Sequence, residues 1–498
     1  MTVTLGAARV TLDDLVAVAR EHAAVALSPE VSPRLAAARA VVEDLATTTT
    51  PIYGVNSGLG ANVGEPIDAS ALESFQLSAI RARAVGVGSA YDAASVRAML
   101  FARAASLSVG GAGVSPRVVE ALVALLNARV HPRVPRYGSI GVADLPQLSH
   151  LALPLIGEGE AEIEGTVLPG AQALERAGLK PLRLGAKDAL ALVSAGSATM
   201  GRAALVLHDA FALLDQWNAA VALSYEGFRA NLSPIDHRAV RARPAPGQVE
   251  IADRLRELLA GSRLFEVGAA RRVQDPLSLR CVAQVHGALW WMLGETRSQV
   301  ELELNHAGES PLVLVEDREM LSTSNFHVPA LALAVDAAAI AFAQSAALAA
   351  ERCIKFMSPS MTELPLQLTR HGPQESGFAT VQKTLVALYN EIRLRANPGS
   401  LDFLPVSERI EDHAPMTLGV VEKLAEIVER ARYLVAIELL IAAQAVDLRG
   451  LQSDALGAGA RNLYRHVRAE VSVLDHDRPL GPDIDRLERL LRSGALAA

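Results

Sequence analysis

The stretch Val328-Pro329-Ala330-Leu331-Ala332-Leu333-Ala334-Val335-Asp336-Ala337-Ala338-Ala339-Ile340-Ala341-Phe342-Ala343-Gln344-Ser345-Ala346-Ala347-Leu348-Ala349-Ala350 is long and apolar enough to cross a bilayer, and its reading decides the fold class. Asp336 and Gln344 interrupt it, and Glu351-Arg352 follow at once. Such groups are costly in hydrocarbon, so the stretch reads as a buried helix of a soluble bundle, and no membrane partner is expected. Ala and Leu dominate it, which suits close packing of long helices.

The same pattern recurs over 187–217, 281–304, 374–396 and 411–446, while 328–356 extends the first stretch. Half of the 498 residues are hydrophobic and only 4% aromatic, so the core must be built from small aliphatic side chains, which argues against a β-rich fold. The expected class is all-α: a long central helix bundle with a smaller mixed N-terminal region. No linker of low complexity divides the chain. We read 1–200 as an N-terminal region of active-site loops, 201–450 as the central bundle and 451–498 as a C-terminal helical tail. Short strands are expected near 161–167 and 312–315.

Helix starts are marked by Thr11-Leu12-Asp13-Asp14, which has capping-box form, and by Ser32-Pro33 and Ser115-Pro116. Glycine-rich breaks at Tyr53-Gly54-Val55-Asn56-Ser57-Gly58-Leu59-Gly60, Gly86-Val87-Gly88 and Gly110-Gly111-Ala112-Gly113 read as loops converging on a site. A net charge of -8 offers no basic face for nucleic acid. Cys281 and Cys353 lack any ligand spacing, so neither a disulfide nor a metal is expected. Together with an N-terminus unlike a signal peptide, this points to a cytoplasmic protein acting on a small molecule.

Four further motifs carry a resemblance. They are the Tyr53 to Gly60 loop; Arg272-Val273-Gln274-Asp275-Pro276-Leu277-Ser278-Leu279-Arg280-Cys281; Asn325-Phe326-His327; and Glu411-Asp412-His413. With the surroundings of Gly138-Ser139-Ile140-Gly141-Val142-Ala143-Asp144-Leu145-Pro146-Gln147-Leu148, they resemble the histidine and phenylalanine ammonia-lyase family in unbroken order from about 10 to 450. In that family the last segment reads Gly-Ser-Val-Gly-Ala-Ser-Gly-Asp-Leu, and its Ala-Ser-Gly cyclises into the electrophile methylidene-imidazolone (MIO). Here Val142-Ala143 stand in its place, one residue short. No MIO, and no other cofactor, is therefore expected. Ser139 matches a serine the family keeps besides the reactive one, and β-branched Ile140 follows it.

The resemblance implies roles by position. Tyr53 matches the base that removes a proton beside the ring; a phenol titrates near pH 10, so the phenolate needs nearby positive charge or hydrogen bonds. Arg280 matches the guanidinium that grips the substrate carboxylate. Asn56, Gln274, Asn305 and Phe326 match binding-pocket residues. Glu411 matches the carboxylate near the imidazole in histidine lyases, where it can accept an N–H; the competing reading is a helix cap. Arg83 stands where histidine lyases have His and adds a fixed charge at the ring end. Leu277 and Ser194 replace a tyrosine and an asparagine from the surroundings of the prosthetic group. Lys383 has two readings: buried near Tyr53 it would assist catalysis, and exposed it is an ordinary solvated lysine.

An elimination without the electrophile needs a substrate that is already activated. A quaternary ammonium leaves as neutral trimethylamine with no proton transfer to it. The expected substrate is an amino acid betaine bearing an imidazole, with ergothioneine, the betaine of 2-thiohistidine, fitting both Glu411 and Arg83. Two alternatives stay open: elimination or isomerisation on another imidazole or aromatic acid, and a catalytically inert homologue that binds. The resemblance also implies a homotetramer.

Overall fold

The computed structural model describes residues 1–48, 51–60, 63, 67–68, 71–401 and 403–495. The chain is mainly helical, as expected. Its longest helices are Ser197–Phe228, Val282–Asn305, Pro329–Phe356 and Thr417–Leu448. Two compact units interleave along the sequence: the first comprises Met1–His208, Thr296–Leu333 and Gly399–Glu422, the second Asp209–Glu295, Ala334–Pro398 and Lys423–Ala498.

The first unit holds all the strands found among the described residues. Thr2–Leu5 pairs in parallel with Ala24–Leu27, and Val87–Ala90 pairs antiparallel with Pro135–Tyr137. The single strand expected over 161–167 is instead a hairpin, Glu160–Ile163 against Thr166–Pro169. Its two-residue turn has φ of 49° at Glu164 and 76° at Gly165, the left-handed pair that a tight hairpin requires. Leu312–Leu314, close to the expected position, pairs with Glu319–Leu321.

Helix Leu12–Arg20 starts at the expected capping box: the Thr11 hydroxyl accepts from Asp14 N at 3.1 Å, and Asp14 accepts from Thr11 N at 2.9 Å. Ser32-Pro33, by contrast, lies inside the first turn of Val31–Ala46 and caps nothing. Ser115 precedes Pro116–Asn127 as read, yet its hydroxyl bonds Asp188 at 2.7 Å. Helix Ala93–Ser108 is buried on every side from Ser95 onward. Its two arginines are consequently partnered: Arg97 donates to the Val18 and Leu126 carbonyls, and Arg103 pairs with buried Glu309 at 3.1 Å.

The second unit is centred on another buried ion pair. Arg352 donates to Glu438 at 2.8 and 3.0 Å, and the same carboxylate accepts from Trp217 Nε1 and Ser224 Oγ. Asp336, which argued against a membrane span, is buried and paired with Lys423 at 2.8 Å. More than half of the most apolar window of Pro329–Phe356 lies inside the protein. It is a core helix.

Candidate active site

Tyr53 sits on a loop clasped from within. Asn56 accepts from Ile52 N at 2.7 Å and donates to the Thr48 carbonyl at 3.0 Å, so the buried amide fixes the turn that presents the phenol. Gly54 has φ of 74°, and a Cβ there would fall 2.3 Å from the Leu190 side chain. Only glycine fits. Asn56 is thus a support for the loop and is absent from the cleft wall.

That wall encloses about 620 Å³ in the first unit and brings together Tyr53, Arg83, Glu411, Phe326, His327 and His413. Arg83 follows helix Leu72–Arg81 and is steadied by a 2.9 Å bond to the Ala79 carbonyl. Burial pulls its guanidinium below the ordinary value, while Tyr53 and Glu411 draw it upward. The three groups therefore feel one another's charge.

Glu411 is held in a loop by an antiparallel bridge to Val406. Helix Thr417–Leu448 begins six positions later than the sequence suggested, after Pro415, so Glu411 caps no helix. Ser407, Glu408 and Arg409, just before it, have φ of 54°, 56° and 67°. Three consecutive left-handed residues with side chains are costly, and such strain concentrates at functional sites. On the facing segment, His327 Nε2 meets His413 Nδ1 at 2.8 Å. The sequence reading quoted both histidines within motifs but gave them no role.

The helix expected over 187–217 is broken at Ser194-Ala195-Gly196 into Asp188–Val193 and Ser197–Phe228. The break lets Ser194 line the cleft. It also turns the start of the second helix towards Asp144, which accepts from Thr199 N at 2.7 Å and Thr199 Oγ1 at 2.9 Å. Ser139 Oγ donates to the same fully buried carboxylate at 2.7 Å and accepts from Gly141 N at 3.0 Å. Burial raises the Asp144 pKa and these hydrogen bonds oppose the rise. Val142 bridges to His327, and the left-handed Ala143 (φ 54°) completes the turn. The residues here do not fit the MIO group: the single serine of 138–148 is engaged at its hydroxyl and lacks the small neighbours on both sides that ring closure uses.

Asn305 is engaged by backbone in the single chain. Its amide joins Val10 N and O at 2.7 and 2.8 Å and the Glu301 carbonyl at 2.7 Å, and it lies outside the cleft wall. An amide at a helix end readily meets unpaired backbone. Arg280, Gln274 and Lys383 belong to the second unit. Arg280 ends helix Leu277–Arg280 half-buried, its Nε without a hydrogen-bond partner among the described residues. Gln274 is exposed. Lys383, on the first turn of Val381–Arg395, is exposed in the single chain.

Residues 10–469 match the model of the aromatic amino acid lyases. Over 497 residues the chain is 40% identical to histidine ammonia-lyase of Symbiobacterium thermophilum, covering 100% of this chain and 97% of that one. Among solved structures, ergothionase from Treponema denticola, in complex with desmethyl-ergothioneine sulfonic acid, superposes with a TM-score of 0.96 at 31% identity, covering 100% and 99% of the two chains. Histidine ammonia-lyase of Trypanosoma cruzi gives 0.90 at 32%, covering 100% and 94%. The chain belongs to the aromatic amino acid lyase family. Membership supports a carbon–nitrogen lyase, and members of the family act on small amino acid or imidazole substrates.

Proposed function

We propose that this protein eliminates trimethylamine from ergothioneine to give thiourocanate, without MIO. One observation carries the reading: Tyr53, Arg83 and Glu411 line a single cleft beside a segment that has lost Ala-Ser-Gly. The similarity to the Treponema ergothionase adds support.

In this reading the Tyr53 phenolate takes the proton from the carbon next to the ring. The released electron pair forms the double bond, the carbon–nitrogen bond breaks, and trimethylamine departs neutral with the bonding pair. Arg83 supplies the positive charge that favours phenolate and faces the sulfur-bearing edge of the ring, while Glu411 accepts a ring N–H. An apolar phenyl ring would leave that carboxylate unpaired, which favours imidazole. Arg280, whose Nε has no hydrogen-bond partner among the described residues, grips the substrate carboxylate in a homotetramer. Exposed Trp290, Trp291 and Ile340 on long helices provide apolar surface for such an assembly.

A second reading, elimination from histidine or a related imidazole acid, draws on the 40% identity to histidine ammonia-lyases. Incubation of the protein with ergothioneine and, separately, with histidine decides between them. Thiourocanate absorbance with release of trimethylamine supports the first; urocanate from histidine alone overturns it.

A further inference from the structure

The second unit carries a cluster of imidazoles and carboxylates that the elimination does not use. His371 precedes the turn Gly372–Gln374, and Asp475 and His476 lie between helices Ala458–Glu470 and Gly481–Arg492. The two imidazole rings stack with centroids 4.3 Å apart and planes 14° from parallel.

Their separations from the carboxylate are informative. His371 Nε2 lies 3.5 Å from one Asp475 oxygen, and His476 Nε2 lies 3.8 Å from the other. Hydrogen bonds of this kind run about 2.7–3.2 Å, and among the described residues His371 Nε2 is buried without such a partner. Two ligands each about 2.0–2.2 Å from one tetrahedral zinc stand about 3.4 Å apart, close to the spacing found here.

The surroundings hold the donors in place. Glu375 accepts from His476 Nδ1 at 2.7 Å, which fixes the tautomer that turns the Nε2 lone pair towards Asp475. Carboxylate behind imidazole is the usual outer partner of a metal-bound histidine. Glu375 also accepts from Asp477 N at 2.5 Å, and Asp477 in turn accepts from Ser376 N and Gly377 N at 2.7 and 2.8 Å. The two loops are thereby stitched together before any ion arrives.

We propose that His371 Nε2, His476 Nε2 and the Asp475 carboxylate, whose ligand atoms lie within 4.8 Å of one another, bind a divalent transition-metal ion of the zinc type, with water completing the shell. The ion ties the segment before the last helix to the loop before Val381–Arg395. Being half open to solvent, the site exchanges its metal.

The test uses the full-length, tag-free protein, stripped with chelator, dialysed and titrated with ZnCl2 by calorimetry and metal analysis. One equivalent per chain is expected, with a rise in Tm. His371→Ala and His476→Ala should each weaken binding at least tenfold, Asp475→Asn should do so while preserving side-chain shape, and Glu375→Gln should weaken it about tenfold at unchanged stoichiometry. Circular dichroism of each metal-free variant separates loss of the site from loss of the fold. No binding by the wild type, undiminished binding in correctly folded His371→Ala and His476→Ala, or binding abolished by His413→Ala instead would each overturn the proposal.

Discussion

His327 and His413 share one proton across 2.8 Å, with ring centroids 4.9 Å apart, and the bond holds only while one of the two rings is an acceptor. It links the segment after Glu319–Leu321 to the loop that carries Glu411. Through the Val142–His327 bridge it also reaches the shortened segment. Burial, and then His413, lower the His327 pKa, so the neutral form is favoured in the fold. The stabilisation is present above the unfolded value near pH 6.5 and is lost as pH falls through the lower folded value. Tm measured from pH 5 to 8 should therefore fall more steeply on the acid side for the wild type than for His413→Gln. Parallel profiles would remove the pair from the pH response.

Tyr53→Phe should lower kcat by at least about a hundredfold, the scale of a lost general base, with Tm unchanged. Asn56 holds the turn, and among the described residues the phenol makes no bond on which the loop depends. Near-normal turnover would take Tyr53 out of the mechanism.

Arg83→Gln and Glu411→Gln should each reduce kcat/KM for ergothioneine by about ten- to a hundredfold, corresponding to loss of one charge-assisted hydrogen bond of about 1.5–3 kcal/mol. If Arg83 serves the sulfur-bearing edge, its loss should be milder for a substrate lacking sulfur. Equal losses on both substrates would show that Arg83 acts on Tyr53 alone.

Ser139→Ala leaves a buried carboxylate short of a donor and should destabilise the protein by about 1–3 kcal/mol in denaturant titration. Borohydride or cyanide, which add to an exocyclic methylidene, should leave wild-type activity unchanged. Inactivation by either reagent would contradict an MIO-free reaction.

Glu438→Ala strands Arg352 in the core of the second unit and should cost about 3–5 kcal/mol. A loss below about 1 kcal/mol would mean that water or a rearranged neighbour reaches the guanidinium.

Tyr53, Arg83, Phe326 and Glu411 line one cleft, and it was the resemblance of their motifs to the ammonia-lyases, by position, that implied their place in a site. Asn56 and Asn305 bond to backbone in the structure, and sequence does not distinguish an amide that satisfies a loop from one that binds a ligand. Helix boundaries slipped where tertiary contacts overrode pattern, as at Ser194-Ala195-Gly196, which reads as helical until Asp144 claims Thr199. The capping box at Thr11 was legible because its chemistry is complete within four residues. The histidine pair was not, since its halves lie 86 positions apart.

Asp144 has one more consequence. It grips Ser139 on one side and the first turn of Ser197–Phe228 on the other, so both ends of the intervening turn are moored independently of what lies between them. A lineage could excise a residue there and let Gly141 and Ala143 absorb the slack, without displacing the helix that follows. Such a tethered span is a natural place for an enzyme to shed a reactive group by deletion, leaving the rest of its cleft free to be turned to a different leaving group.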